Sequence, residues 1–301
     1  MPEITLKSIA LGNGETLGYR EREGGEKTLL LIHGNMTSSK HWDLVMENID
    51  SSYKLYAIDL RGFGISTYNT PIASLKDLTN DVKLFVDAIG LSTFSVMGWS
   101  SPGGGVSMQF AAEYPHYVEN LILLASISSR GYPFFNSDGM GNPILTERLT
   151  TREEIANEKG KIQPTVKAIE SKDKAFLKMV WKWLIYNHNE PDSERFEEYL
   201  ADMLTQRNYI DIVHANNQFN ISNKHNGVVE GSNDIAKIKC PTLILYGEND
   251  IVVPTVMTEQ LIQDFKGRAE VVMLKNCGHS PLVDDLPQLL GSIEQFLTKK
   301  V

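Results

Sequence analysis

Six short and almost uninterrupted apolar runs constrain this chain most: Thr28–Ile32, Leu55–Ile58, Phe94–Met97, Leu121–Leu124, Thr242–Tyr246 and Glu270–Leu274. A strand with one face in water alternates apolar and polar residues. Runs without that alternation fit strands covered on both faces, as in a parallel sheet. Helical patterns lie between the runs. The clearest places Leu75, Leu78, Val82, Phe85, Val86 and Ile89 at i, i+3, i+4 spacing, with acids and lysine on the opposite face. Strands that alternate with helices imply right-handed crossovers, which lay helices on both faces of the sheet. The expected class is therefore α/β with a mostly parallel sheet. Ile4–Ala10 and Thr16–Arg22, on either side of Gly12-Asn13-Gly14, predict an antiparallel hairpin at its start.

The alternation stops at Ser128 and resumes after about Ala236. Between them, helical segments such as Lys174–Tyr186 and Ser193–Leu204 follow one another with no buried strand. This predicts a helical cap at residues 128–236, inserted into a core made of residues 1–127 and 237–301. A hydrophobic share of 42% with 22% charged residues excludes a largely disordered chain. Acidic residues outnumber basic ones 38 to 29 and no basic stripe stands out, which argues against a nucleic-acid partner. No apolar run reaches the ~20 residues of a membrane span. Residues 1–14 have neither the basic flank nor the long apolar stretch of a secretory signal, so a cytoplasmic protein is expected. Cys240 and Cys277 are too few for a disulfide framework or a metal cluster and read as packing residues.

After the run Phe94–Met97 comes Gly98-Trp99-Ser100-Ser101-Pro102-Gly103-Gly104-Gly105, followed by the helical pattern Val106–Ala112. A serine hydroxyl is a poor nucleophile and has to be presented on a sharp turn near a base, with small neighbours where backbone meets backbone. At this turn the chain resembles the α/β-hydrolase superfamily, whose elbow is normally G-x-S-x-G. Here the glycine run begins one residue late, and two registers are open. Counting forward from the strand gives Ser100 as nucleophile; counting back from the glycines gives Ser101. The hole that holds the oxyanion needs the backbone N–H of the residue after the nucleophile, and proline has none. A Ser101 nucleophile would thus forgo a donor worth roughly 3 kcal/mol. Trp99 is also too large for the close approach that Gly98 permits. Both points favour Ser100.

The resemblance extends to two more loops. Gly247-Glu248-Asn249-Asp250-Ile251-Val252-Val253-Pro254 follows the run Thr242–Tyr246 and is similar to the family's G-x-x-D-x-x-x-P loop, which implies Asp250 as the acid, with Glu248 as the alternative. Gly278-His279-Ser280-Pro281 is similar to the family's histidine loop, which implies His279 as the base. The order serine, acid, histidine is that of this superfamily. His33-Gly34-Asn35 resembles the loop that supplies the second oxyanion donor, so the N–H groups of Asn35 and Ser101 are the expected pair. Met36 on the same loop and Trp99 beside the serine are the residues expected at the substrate. This loop and Trp99 also resemble haloalkane dehalogenases, but those enzymes need an aspartate nucleophile and none stands at 100 or 101. Asp59-Leu60-Arg61-Gly62-Phe63-Gly64-Ile65-Ser66 resembles a superfamily segment whose role is scaffold.

The resemblance as a whole implies an eight-stranded α/β-hydrolase fold carrying a cofactor-free, metal-free serine hydrolase. The expected substrate is a small carboxylic ester, lactone or thioester, cleaved through an acyl-enzyme. The same three residues would also serve carbon–carbon bond hydrolysis or perhydrolysis, and a spoiled elbow would leave a binder without turnover. Trp181, Trp183, Tyr186, Phe196 and Tyr199 in the inserted stretch either cover an apolar pocket or pack among themselves.

Overall fold

The computed structural model describes residues 3–299. Its main sheet contains β1 (Ile4–Ala10), β2 (Thr16–Arg22), β3 (Lys27–Ile32), β4 (Tyr53–Ile58), β5 (Phe94–Trp99), β6 (Val118–Leu124), β9 (Thr242–Gly247) and β10 (Ala269–Leu274). Their order is β1-β2-β4-β3-β5-β6-β9-β10. β2 runs antiparallel to both β1 and β4, and every other neighbouring pair is parallel. All six apolar runs are strands of this sheet, and the opening hairpin has the expected bounds.

Alternate residues of β3 explain why its sequence is apolar throughout. Leu30 and Ile32 join the core that contains Leu78, Val82 and Phe85 of the helix Leu75–Ala88, while Leu29 and Leu31 join the core formed with Trp42, Val45, Leu289 and Ile293. A two-residue period on a sheet covered on both faces leaves no position for a polar side chain.

Residues between β6 and β9 stand outside the sheet. They hold five α-helices, Arg152–Ala156, Ile162–Glu170, Lys174–Leu184, Ser193–Met203 and Tyr209–Gln218, a short 3-10 helix, Asp234–Lys237, and a small antiparallel pair, β7 (Phe135–Ser137) with β8 (Pro143–Arg148). The pair is half-exposed, so it left no apolar run in the sequence. Trp181, Tyr186, Phe196 and Tyr199 are buried together with Leu177, Leu200 and Met203. Ring centroids lie 5.5 Å apart for Trp181 and Tyr186 and 5.2 Å apart for Tyr186 and Phe196. These aromatics pack among themselves, with Met36 and Val283 against the cluster and His41 stacked on Tyr199 at 4.1 Å between ring centroids. Trp183 instead faces solvent at 71% exposure.

A polar seam joins the insertion to the segment after β3. The Ser38 hydroxyl donates to Asp202 Oδ1 at 2.6 Å, and the Tyr199 hydroxyl donates to Asp43 Oδ1 at 2.5 Å. Arg195 pairs with Asp43 at 2.7 Å and with Glu47 at 3.1 Å, and Lys40 pairs with Glu198 at 2.6 Å. Most of these carboxylates and cations are at least partly buried, so their geometry is held far better than in a surface pair.

His33 directly follows β3 and is fully buried. Its Nε2 accepts the Leu60 N–H at 3.0 Å, which leaves the proton on Nδ1 to donate to the Gly34 carbonyl at 2.7 Å. Burial lowers its pKa and keeps it neutral. Below pH about 6.5 the unfolded chain gains a proton that the native ring resists, so this residue's contribution is complete above that pH and falls away below it. Urea denaturation measured from about pH 7.5 down to 5.5 should show stability falling with pH, and His33→Asn should flatten that slope. An equally steep slope in the variant would contradict this role for His33.

Candidate active site

Loops at the carboxyl ends of parallel strands converge, and such ends are where open α/β sheets place their ligands. β3 leads into His33-Gly34-Asn35, β5 into Ser100, β9 into the loop of Asp250 and β10 into the loop of His279. Ser100 is in the left-handed region at φ 57°, which lifts its side chain out of the strand-to-helix turn. The turn is tight because glycine permits backbone contact. A Cβ at Gly98 would lie 2.3 Å from the Gly103 carbonyl oxygen, and one at Gly103 would lie 2.4 Å from that of Ile32.

His279 Nε2 lies 2.8 Å from Ser100 Oγ, and its Nδ1 lies 2.8 Å from Asp250 Oδ2. Both His279 and Asp250 side chains are almost fully buried. The other carboxylate oxygen of Asp250 accepts the N–H groups of Val252 and Val253 at 2.8 and 2.9 Å, so the carboxylate is oriented from both sides. Glu248, the alternative acid, accepts the Asn276 N–H at 3.0 Å and faces away from this chain of contacts. Ser101 is extended, at φ −121° and ψ 134°, and its carbonyl accepts the Asn35 N–H. The geometry thus puts Ser100, rather than Ser101, against His279. It also engages one of the two N–H groups expected at an oxyanion, that of Asn35, with a protein carbonyl. Ser101, extended ahead of the regular turns of its helix, has no intrahelical partner for its own N–H.

Trp99, expected at the substrate, is enclosed beside His279, with ring centroids 5.9 Å apart. It is 2% exposed, packs 6.1 Å from Trp42 between ring centroids, and donates its indole N–H to the His279 carbonyl at 3.0 Å. Its size suits a core position beneath the histidine loop. Met36 is half-buried against the insertion's apolar cluster, with φ 57°. Asp59 binds backbone, accepting from Ser39 and Ile65, while Arg61 pairs with the buried Asp81. Both are scaffold contacts. Burial pushes the Cys277 thiol up to about 12 and the Cys240 thiol up to about 11, as befits packing residues.

Three supporting residues had no motif to announce them. The Tyr132 hydroxyl donates to the Val252 carbonyl at 2.6 Å and steadies the Asp250 loop. Asp284 accepts the Gly278 N–H at 2.7 Å, next to His279, and the Asn189 N–H at 3.1 Å from the insertion. Burial raises the Asp284 carboxyl above its ordinary value. Gln206 contacts the Asn35 loop from the insertion.

The model of the alpha/beta hydrolase fold matches residues 27–286. The chain belongs to this family. Within the alpha/beta hydrolases it is similar to Lipase 3 of Moraxella sp. (strain TA144), at 25% identity over 98% of this chain and 85% of that protein. It is also similar to the 2-hydroxy-6-oxononadienedioate/2-hydroxy-6-oxononatrienedioate hydrolase of Escherichia coli (strain K12), at 26% identity over 85% of this chain and 81% of that one. The structure of an esterase from Exiguobacterium antarcticum superposes with a TM-score of 0.74 at 15% identity, covering 98% of this chain and all of the other, which speaks for the shared fold.

The glycine contacts of this hydrolase turn carry a direct expectation. Gly98→Ala should cost about 1–3 kcal/mol or more in urea denaturation, because its Cβ would meet the Gly103 carbonyl oxygen at 2.3 Å and Ser107 Oγ at 2.4 Å. Gly12→Ala, with no atom within 4 Å of its Cβ, serves as a control and should change stability little. Equal stability for Gly98→Ala and the parent would contradict the close approach.

Proposed function

We propose that this alpha/beta hydrolase is a serine hydrolase that cleaves a carboxylic ester, lactone or thioester through an acyl-enzyme. The observation that carries the proposal is the Ser100–His279–Asp250 chain, with both contacts at 2.8 Å. His279 takes the proton of Ser100 Oγ as that oxygen attacks the substrate carbonyl carbon, and then delivers it to the leaving group. Water, deprotonated by the same imidazole, releases the acid. Asp250 fixes the tautomer with the proton on Nδ1 and stabilises the imidazolium.

The Ser101 N–H is the standing donor for the oxyanion. The Asn35 N–H becomes the second when the substrate oxygen displaces the Ser101 carbonyl from it. One such donor is worth about 10² to 10³ in rate, so the competition bears directly on turnover. The insertion acts here as a cap, and residues 128–236 would select the acyl or alcohol group. A carbon–carbon hydrolase using the same three residues is a second reading, supported by the similarity to the Escherichia coli dienedioate hydrolase.

A panel of p-nitrophenyl esters of graded chain length, set beside a 2-hydroxy-6-oxodienoate, tests both readings. Turnover of the esters with the dienoate untouched is expected; the reverse pattern would favour the second reading. Ser100→Ala should abolish ester hydrolysis while Ser101→Ala stays active, and Asp250→Asn should lower kcat by about 10⁴ while Glu248→Gln changes little. A dead Ser101→Ala with a normal Ser100→Ala would overturn the assignment. Deleting Pro102 restores G-x-S-x-G and shortens the stretch whose carbonyl holds Asn35. The deletion variant should therefore hydrolyse p-nitrophenyl acetate at least as fast as the parent, and a folded but slower variant would mean that the extra residue belongs to a working site.

A further inference from the structure

Gln206 follows the helix Ser193–Met203 in the insertion and is 4% exposed, yet its amide reaches the loop after β3. The Met36 N–H donates to Gln206 Oε1 at 3.1 Å. A backbone N–H can only donate, so this contact sets which end of the amide faces the loop. The nitrogen end then donates to Asn35 Oδ1 at 2.8 Å and to Asn208 Oδ1 at 3.0 Å. Both donors and the acceptor of Gln206 are in use. Asn208 is itself anchored to the core, donating to the Arg61 carbonyl at 2.6 Å and lying where a Cβ on Gly62 would sit 2.6 Å from its Nδ2. Gln206 therefore ties two consecutive residues of the Asn35 loop to a rigid part of the scaffold.

The remaining polar contact of the Asn35 backbone is its N–H bond to the Ser101 carbonyl, and that is the bond a substrate oxygen has to replace. At the moment of exchange the loop loses one of its holds. The contacts from Gln206 do not involve the Asn35 N–H and survive the exchange. Resting on the serine-hydrolase function above, we propose that Gln206 is a positioning residue, which keeps the Asn35 N–H aimed at the oxyanion once the Ser101 carbonyl has been displaced.

The test compares Gln206→Met, which keeps the side-chain length but removes every hydrogen bond, with Gln206→Glu, which keeps the acceptor for Met36. Three quantities are read: kcat and KM for p-nitrophenyl acetate, and Ki for an alkyl trifluoromethyl ketone, whose adduct with a serine carries an oxyanion. Displacing a reacting group by ~1 Å costs about 10²-fold, so Gln206→Met should lower kcat by about 10- to 100-fold. KM should stay within about threefold, since the lost interaction belongs to the transition state. The ketone Ki should rise by the factor by which kcat falls, and Gln206→Glu should lie between parent and Gln206→Met. A folded Gln206→Met with parental kcat, or with reduced kcat but an unchanged ketone Ki, would overturn the proposal. If Gln206→Met does not fold, Gln206→Glu decides: a fall in kcat matched by a rise in Ki supports the role, and parental values refute it. Failure of the serine-hydrolase reading looks different, because the parent itself would then hydrolyse no ester and bind no ketone.

Discussion

Backbone pressed against backbone, where β5 turns into its helix, is the contact on which the site depends. Gly98 and Gly103 permit it: a Cβ at Gly98 would lie 2.3 Å from the Gly103 carbonyl oxygen, and one at Gly103 would lie 2.4 Å from the Ile32 carbonyl oxygen of β3, while one at Gly104 would meet the Ser126 hydroxyl at 1.9 Å. With the strand and helix so close, Ser100 has to take the left-handed conformation and its hydroxyl stands clear of the sheet. The same closeness draws in the β3 loop, where a Cβ on Gly34 would lie 3.1 Å from Ser100 Cβ. Because β3 and β5 are hydrogen-bonded neighbours, the Asn35 loop and Ser100 cannot shift independently.

The insertion belongs to that arrangement as well. Asp43, Arg195, Tyr199, Ser38 and Asp202 form a largely buried seam between the segment after β3 and the helix Ser193–Met203. Asp43 is shared by Tyr199, Arg195 and Lys40, so this edge of the insertion is attached by several contacts at once. Asp284 makes a second attachment by holding Gly278 and Asn189 together. The loops of Asn35 and His279 are thus braced from the sheet side and from the insertion side.

The sheet was legible because burial on both faces removes polar residues from its strands, and that leaves a pattern visible in one dimension. The Ser100, Asp250 and His279 neighbourhoods were legible because each follows such a strand in a short motif, and the structure brings these three side chains together. Other features left no such trace. Trp99 sits beside the serine in sequence, but its ring is buried in the core against Trp42 and beneath His279, which sequence adjacency does not show. The aromatics of the insertion have a composition that suits either a pocket or a core, and only packing separates the two. Gln206, Tyr132 and Asp284 act through contacts between distant parts of the chain, for which sequence has no local signal. The bond from the Asn35 N–H to the Ser101 carbonyl depends on the extended path of Ser101, and motif counting shows only that one residue is extra.

The most direct measurement is the site of covalent labelling. The parent is treated with a fluorophosphonate, its intact mass recorded, and the labelled peptide sequenced by tandem mass spectrometry. On the proposal that His279 and Asp250 activate Ser100, one adduct is expected, on Ser100, and none on a Ser100→Ala variant. A folded protein that takes no label, or one labelled on Ser101, would contradict the assignment of Ser100 as the nucleophile.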